Sequence, residues 1–278
     1  MPTPRVRPVA GRAVLELEAG HPGGTSTLLL ADLHLGLGSA EEHRGGPWEG
    51  SADRMRESLV DTARATGARR LLIVGDVKHP IVGTPPWLRP VVFGFFAGLL
   101  EQGLQVDVVL GNHDVGLVPH LPKEVGVFPA TGVVRDGVGC FHGHRRPAPE
   151  VLDAPLLVVG HLHPGFRLAP TPESPTGKQR CWLWTELSPP GAARPRSRAK
   201  RPGRTQRIVV LPAFNPLSGT EALNRGRPAR FRTFLVDRFL VGGETRAVLL
   251  DGTDLGRLTW AAPSSRRRAG SAPATPPE

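Results

Sequence analysis

Five short motifs place carboxylates, an amide and imidazoles beside one another or beside glycine. They are Asp32-Leu33-His34, Gly75-Asp76, Gly111-Asn112-His113-Asp114, His142-Gly143-His144 and Gly160-His161-Leu162-His163. In an Asp-x-His unit the two side chains flank one residue, so in an extended or turning segment both reach a single cation. Asp offers a hard oxygen and His an imidazole nitrogen, a mixture that suits manganese, iron or zinc better than calcium. A carboxylate such as Asp76, if it ends a strand, can bridge two cations. Two cations roughly 3.5–4 Å apart clamp a phosphoryl group between its attacking and leaving oxygens. A water between them loses a proton near neutral pH and becomes a nucleophile. Glycine beside each ligand lets the backbone turn and leaves room for a metal.

The elements that must carry these motifs are short apolar runs ending at them: Leu28–Ala31, Leu71–Val74, Val106–Leu110, Val138–Phe141 and Leu156–Val159. Near-continuous runs of this length bounded by Gly read as strands buried on both faces. Two helices are expected between them. One covers about residues 51–65, with Ser51 as N-cap and Met55, Leu59 and Val60 on one face; the other covers about 87–102. Alternating strands and helices imply an α/β layered fold, and sites in such sheets form outside the carboxyl ends of the strands. All five motifs should therefore meet at one edge. Later segments, Arg207–Leu211, Phe231–Val236 and Arg246–Leu250, read as strands of a second sheet packed on the first. Trp182 and Trp184 alternate in a further strand, where core packing is favoured over base stacking.

Taken in order, ADLHLG, VGDVKH, LGNHD, FHGH and VGHLH resemble the calcineurin-like metallophosphoesterase superfamily, and more closely its SbcD-related and DNA-ligase-associated phosphoesterase branch. The later LPAFNPLSG segment is similar to the same branch. The resemblance covers roughly residues 28–219. It implies a four-layer α/β/β/α sandwich of two mixed sheets flanked by helices, with a dimetal site at the strand C-terminal edge. It also implies the roles of the motif residues. Asp32, His34 and His163 would bind a first metal and Asn112, His142 and His161 a second, with Asp76 bridging. His113 would be a general acid or would stabilise the leaving oxygen, and Asp114 would orient it through a hydrogen bond. His79 resembles a phosphate-contacting histidine of the nuclease members. His144 competes with His142 for the fourth motif's ligand position, and His142, directly after the strand, is preferred. Two divalent ions, manganese first and iron or zinc next, are the implied cofactors.

With 35 Lys and Arg against 25 Asp and Glu, the chain carries a formal charge of +10, which favours polyanions. The stretch 194–207 and Arg266–Arg268 hold ten of those basic residues. Residues 189–206 are expected to form a flexible basic insertion, either solvated or touching nucleic acid. One domain over 1–260 with a disordered tail over 261–278 is expected. No run of eighteen apolar residues exists and residues 1–10 lack an apolar stretch, so neither a membrane span nor a signal peptide is expected. Two cysteines make no disulfide framework, which points to a reducing cytoplasm. His21, His43 and His120 read as surface residues and Asn215 as part of a turn.

The expected activity is metal-dependent phosphodiester hydrolysis, with nucleic acid as the leading substrate and no membrane partner. Small diesters such as cyclic nucleotides, and phosphomonoesters, are alternatives. A basic nucleic-acid-binding protein with structural metals is the alternative of another class. Protein partners in DNA repair or ligation follow from the resemblance alone. No His-Glu-x-x-His helix supports a peptidase.

Overall fold

The computed structural model describes residues 4–20, 24–38, 50–169, 177–187, 206–225 and 244–258. The expected strand 231–236, the basic insertion, the tail, His21 and His43 lie outside these residues.

The first sheet has the order β1 (Val6–Pro8), β2 (Leu15–Leu17), β3 (Thr27–Leu30), β4 (Arg70–Val74), β5 (Gln105–Val109), β6 (Gly126–Phe128). The β1–β2–β3 pairs are antiparallel, and β3 through β6 run parallel. The crossovers from β3 to β4 and from β4 to β5 are made by α1 (Ser51–Thr66) and α2 (Leu88–Glu101). The second sheet contains β7 (Val133–Arg135), β8 (Val138–Phe141), β9 (Leu156–Val159), β10 (Pro164–Arg167), β11 (Lys178–Leu187), β12 (Gln206–Val210), β13 (Glu221–Ala222), β14 (Glu244–Leu249) and β15 (Asp254–Arg257). Its order is β13-β10-β11-β12-β9-β8-β7, with β14 pairing β11 and β15 pairing β14. Both sheets are mixed, as expected.

Side-chain alternation sorts the core into layers. Leu28, Leu30, Leu71, Ile73, Val106 and Val108 pack against Met55, Leu59, Phe95, Phe96 and Leu99 of the two helices. Their strand neighbours Leu29, Leu72, Val74 and Val109 pack against Val138, Cys140, Leu156, Val158, Trp182 and Val209 of the second sheet. The opposite face of that sheet presents Phe141, Leu157, Val159, Cys181, Leu183, Ile208 and Val210, covered by Val151 of α3 (Pro149–Leu152). Period-two alternation feeding two separate cores is what a strand buried on both faces requires. Trp182 lies wholly inside the inter-sheet core and Trp184 packs at its margin, so core packing accounts for both.

Two expectations change. The five motif-bearing strands do not share one sheet: β3, β4 and β5 lie in the first, β8 and β9 in the second. The site edge is therefore common to two packed sheets. The N-cap of α1 is Gly50 in the left-handed region (φ 68°), with no side-chain cap, and Ser51 is already helical. Glycine reaches that φ without the Cβ penalty a serine would meet.

Candidate metal centre

Each motif follows the C-terminal end of its strand. Pairing between β3 and β4 continues beyond the strands: Asp32 N–H donates to Gly75 O (3.1 Å), His34 N–H to Asp76 O (2.9 Å) and His79 N–H to Leu35 O (2.9 Å). Yet Asp32, His34, Asp76, His161 and His163 all have positive φ, between 43° and 71°. Non-glycine residues rarely adopt that region, and such strain gathers where side chains must be aimed. The one other such residue described, Asp136, sits with Gly137 in the two-residue turn joining β7 to β8, where left-handed backbone is the rule.

Three groups of ligand atoms gather within 4.8 Å: Asp32, His34 and His163; Asp76, His142 and His161; and His34, His79 and His113. The first two coincide with the two expected ligand sets, apart from Asn112. His34 Nε2 faces His163 Nε2 at 3.2 Å, and His163 Nε2 is 3.4 Å from Asp32 Oδ1. His142 Nε2 is 3.2 Å from Asp76 Oδ1, without the geometry of a hydrogen bond. Asp76 Oδ2 turns the other way, 3.8 Å from His34 Nε2 and 3.7 Å from His113 Nε2. One carboxylate thus faces both groups.

Outer partners fix the rings. His142 donates Nδ1–H to Val74 O (2.9 Å) and His163 to Gly219 O (3.1 Å), so both aim Nε2 inward. Asp32 accepts the His161 N–H at 3.1 Å, and Asp76 accepts the His113 N–H at 2.9 Å. Gly75 and Gly111 make space for these ligands rather than for a cation. A Cβ on Gly75 would stand 2.2 Å from His142 Nδ1, and one on Gly111 would stand 2.2 Å from Asp76 Oδ1.

The electrostatics suit cations. Asp32 and Asp76 are buried, which opposes their charge, but His163 and His142 outweigh burial and hold both carboxyls below their usual range. Burial pushes His34, His144 and His161 down to about 4, leaving neutral imidazoles. For His142 burial acts the same way, but Asp76 and Asp32 prevail and push it up to about 9. His34 Nδ1, Asn112 Oδ1, His142 Nε2 and His144 Nδ1 are buried with no hydrogen-bond partner. Unpartnered polar atoms around two buried carboxylates are costly unless a cation completes the site. The donor set fits Mn, Fe or Zn.

Asp114 does not bond the His113 ring. Its oxygens accept the backbone N–H groups of Val77 (2.9 Å), Lys78 (3.4 Å) and Gly111 (2.8 Å). The His113 ring donates Nδ1–H to the carbonyl of His79. Two consecutive residues in a tight loop point different ways, so Asp114 braces the loops and the His79 main chain orients His113. His79 itself stacks beside His113, 5.8 Å between ring centroids. His144 lies 5.3 Å from His142 and 6.1 Å from His161, centroid to centroid, and joins none of the three groups.

Two further residues support the site. Lys78 is fully buried and donates Nζ–H to the carbonyls of His113 and Pro80. Its place within VGDVKH, two residues past Asp76, was the available signal. Asn215 does make a turn, accepting Leu217 N–H, and it also donates Nδ2–H to Leu33 O (2.9 Å) and His34 O (3.4 Å). Arg180 donates to Ala213 O and Phe214 O, both at 2.8 Å, which ties that turn to β11.

Cys140 and Cys181 are buried and free. Among the described residues no helix is long and apolar enough to cross a membrane.

No family model and no curated protein matches the chain. Among solved structures, the crystal structure of Pseudomonas putida nuclease MPE is similar in fold, with a TM-score of 0.52 over 90% of this chain and 100% of that chain at 17% identity. At that identity the likeness is one of fold alone.

Proposed function

We propose that this chain is a two-metal phosphodiesterase, and that its substrate is nucleic acid. The observation that carries the reading is Asp76, whose two oxygens face two separate clusters of imidazole and carboxylate. Asp32, His34 and His163 would hold one ion and Asn112, His142 and His161 the other, with Asp76 shared and manganese the leading metal. Bound there, such a pair supplies Lewis acidity at a phosphoryl oxygen and a water acidic enough to attack phosphorus near neutral pH. The chain's own residues do the rest. Asp32 and Asp76 stay ionised. His113, with Nδ1–H tied to the His79 carbonyl, presents Nε2 as the atom that protonates the leaving oxygen. His79 stands beside it to contact the phosphate.

Two observations favour nucleic acid over a small diester. The net charge of +10 attracts a polyanion, and the fold is that of a protein named as a nuclease. Within the resemblance the SbcD-related branch remains the preferred placement, and repair or ligation proteins the preferred partners.

The test is a substrate panel with manganese: single-stranded, duplex and hairpin DNA and RNA, bis(4-nitrophenyl) phosphate, 4-nitrophenyl phosphate and cyclic nucleotides. Cleavage of strands and of the diester, with strand affinity falling steeply in salt, is the expected result. Turnover of the monoester alone, or of cyclic nucleotides alone, would overturn the nuclease reading. Metal-loaded protein that binds strands and hydrolyses nothing would leave a binding protein.

A further inference from the structure

After β12 the chain crosses from the second sheet to the first beside the candidate metal centre. Leu211 N–H donates to Val159 O (2.7 Å), still within the second sheet, and Ala213 then pairs with Ala31 at the end of β3. From there the segment bonds the main chain of three residues that share one candidate ion site. Asn215 N–H donates to Asp32 O (3.3 Å) and Glu221 N–H to His163 O (3.0 Å). Asn215 Nδ2–H donates to Leu33 O (2.9 Å) and His34 O (3.4 Å). Gly219 O accepts the Nδ1–H of the His163 ring (3.1 Å).

Asp32, His34 and His163 have left-handed backbone, at φ 61°, 43° and 44°. A residue with a side chain stays there only where its surroundings over-determine it. Hydrogen bonds to the carbonyls of all three are such a constraint. The other group is held differently. Val74 O fixes the His142 ring, and Asp76 O accepts the His34 N–H. Among the described residues, no hydrogen bond joins residues 211–219 to Asp76, Asn112, His142 or His161.

The segment is itself fastened. Burial lowers the pKa of the Arg180 guanidinium, and its Nη1 donates to Ala213 O and Phe214 O, both at 2.8 Å. Asn215 is buried and uses both ends of its amide, since Oδ1 also accepts the Leu217 N–H (2.9 Å). An apolar residue at either position would take a donor from two main-chain carbonyls. Further along, Gly165 of β10, which pairs with Arg180, makes room for the segment's end: a Cβ there would lie 2.6 Å from Thr220 Cβ.

We propose that residues 211–221, fastened by Arg180, position one ion site and not the other, so that Asn215 and Arg180 govern only the metal held by Asp32, His34 and His163. The proposal rests on the two-metal reading and adds to it that the two sites can be emptied separately. Both are positioning residues. Neither bonds a candidate ligand's side chain, and each acts through the main chain that carries the ligands.

The experiment uses the full chain and manganese alone. Asn215→Ala and Arg180→Met are made singly, and Asn215→Ala is also made in His34→Ala and His142→Ala backgrounds. Mass spectrometry counts manganese per chain at fixed free metal. Electron paramagnetic resonance tells a coupled pair from a single ion, and melting of the metal-free protein reports the fold. Wild type should hold a coupled pair. Asn215→Ala should weaken one ion about 10–100-fold, the scale for residues that orient ligands from behind. Its single-ion spectrum should return to that of the pair as manganese is raised. Arg180→Met should act in the same direction. Added to His34→Ala, Asn215→Ala should cost no further manganese; added to His142→Ala, it should cost the remaining ion. The reverse pattern, or equal weakening of both ions, would overturn the one-sided role. Lower melting with both ions at wild-type affinity would make the segment structural only and leave the two-metal reading intact. A wild-type chain that holds no manganese pair would sink that reading and this proposal with it. Where Asn215→Ala fails to fold, Arg180→Lys, which keeps a cationic donor without the forked guanidinium, carries the same comparison.

Discussion

His142 donates its Nδ1–H to the main-chain carbonyl of Val74, 2.9 Å away, so a ring carried by the second sheet is steered by a strand end of the first. The bond fixes which nitrogen faces inward. Nε2 is left 3.2 Å from Asp76, a residue two positions beyond Val74. The packing of the two sheets and the aim of this ring are therefore one geometric fact.

In the proposed metal centre a proton and a cation would compete for that Nε2. Burial alone would lower the pKa of His142, but Asp76 and Asp32 raise it to about 9. Below that pH the ring carries the proton a metal must displace. Manganese affinity should rise between pH 7 and 9 by up to roughly tenfold per unit, and binding should release about one proton from this ring. Titration calorimetry in buffers of different ionisation enthalpy reads both quantities. An affinity independent of pH over that range would remove His142 from the ligand set.

Asp76→Ala should abolish occupancy of both ions and activity with them, because its Oδ1 and Oδ2 face different clusters and would each serve one ion. Metal analysis after dialysis against manganese checks it. Loss of one ion only would confine Asp76 to one group, and retained activity with two ions would refute the shared role.

Gly111→Ala tests the close approach behind that carboxylate. The new Cβ would sit 2.2 Å from Asp76 Oδ1 and 2.3 Å from its backbone nitrogen. Overpacking of this kind costs about 1–3 kcal/mol, and the displaced carboxylate should take metal affinity with it. Gly94→Ala is the control: in α2, with no atom within 4 Å of the new Cβ, it should stabilise by about 0.5–1 kcal/mol. Thermal melting and manganese titration separate the two. A Gly111→Ala protein with wild-type metal binding would mean the backbone there yields freely.

The contrast between what could and could not be read in the sequence follows from the range of each signal. Leu71–Val74 and Leu156–Val159 were legible because an apolar run ending in Gly is local. β6, β7 and β10 are three or four residues with partly exposed positions, and a pattern that short carries no period. The assignment of β8 and β9 to the second sheet depends on pairing across distance: β9 lies between β8 and β12, nearly fifty residues later in the chain. The site residues were named from their types and order, but their left-handed backbone was not visible. Asp136-Gly137 reads as a turn from its composition, whereas nothing in Asp32-Leu33-His34 announces two residues at positive φ. The burial of Lys78 has no local mark, because a lysine's burial is decided by whatever closes over it, here the carbonyls of His113 and Pro80.

That lysine gives the last prediction. Lys78 bonds the carbonyl of His113, and the His113 ring is held by the carbonyl of His79, so in the proposed mechanism Lys78 would act on the leaving oxygen only through His113. His113→Ala should keep both metals and slow turnover by roughly 10²–10⁴-fold. Lys78→Met should also keep the metals, lower kcat with little change in KM, and cost about 1–3 kcal/mol of stability from the stranded carbonyls. In a His113→Ala background the lysine change should cost no further activity, although its effect on melting should persist. Side chains that act as a unit give such non-additive kinetics. If the two losses in kcat simply multiplied, Lys78 would act on the substrate independently of His113, and the positioning role would be wrong.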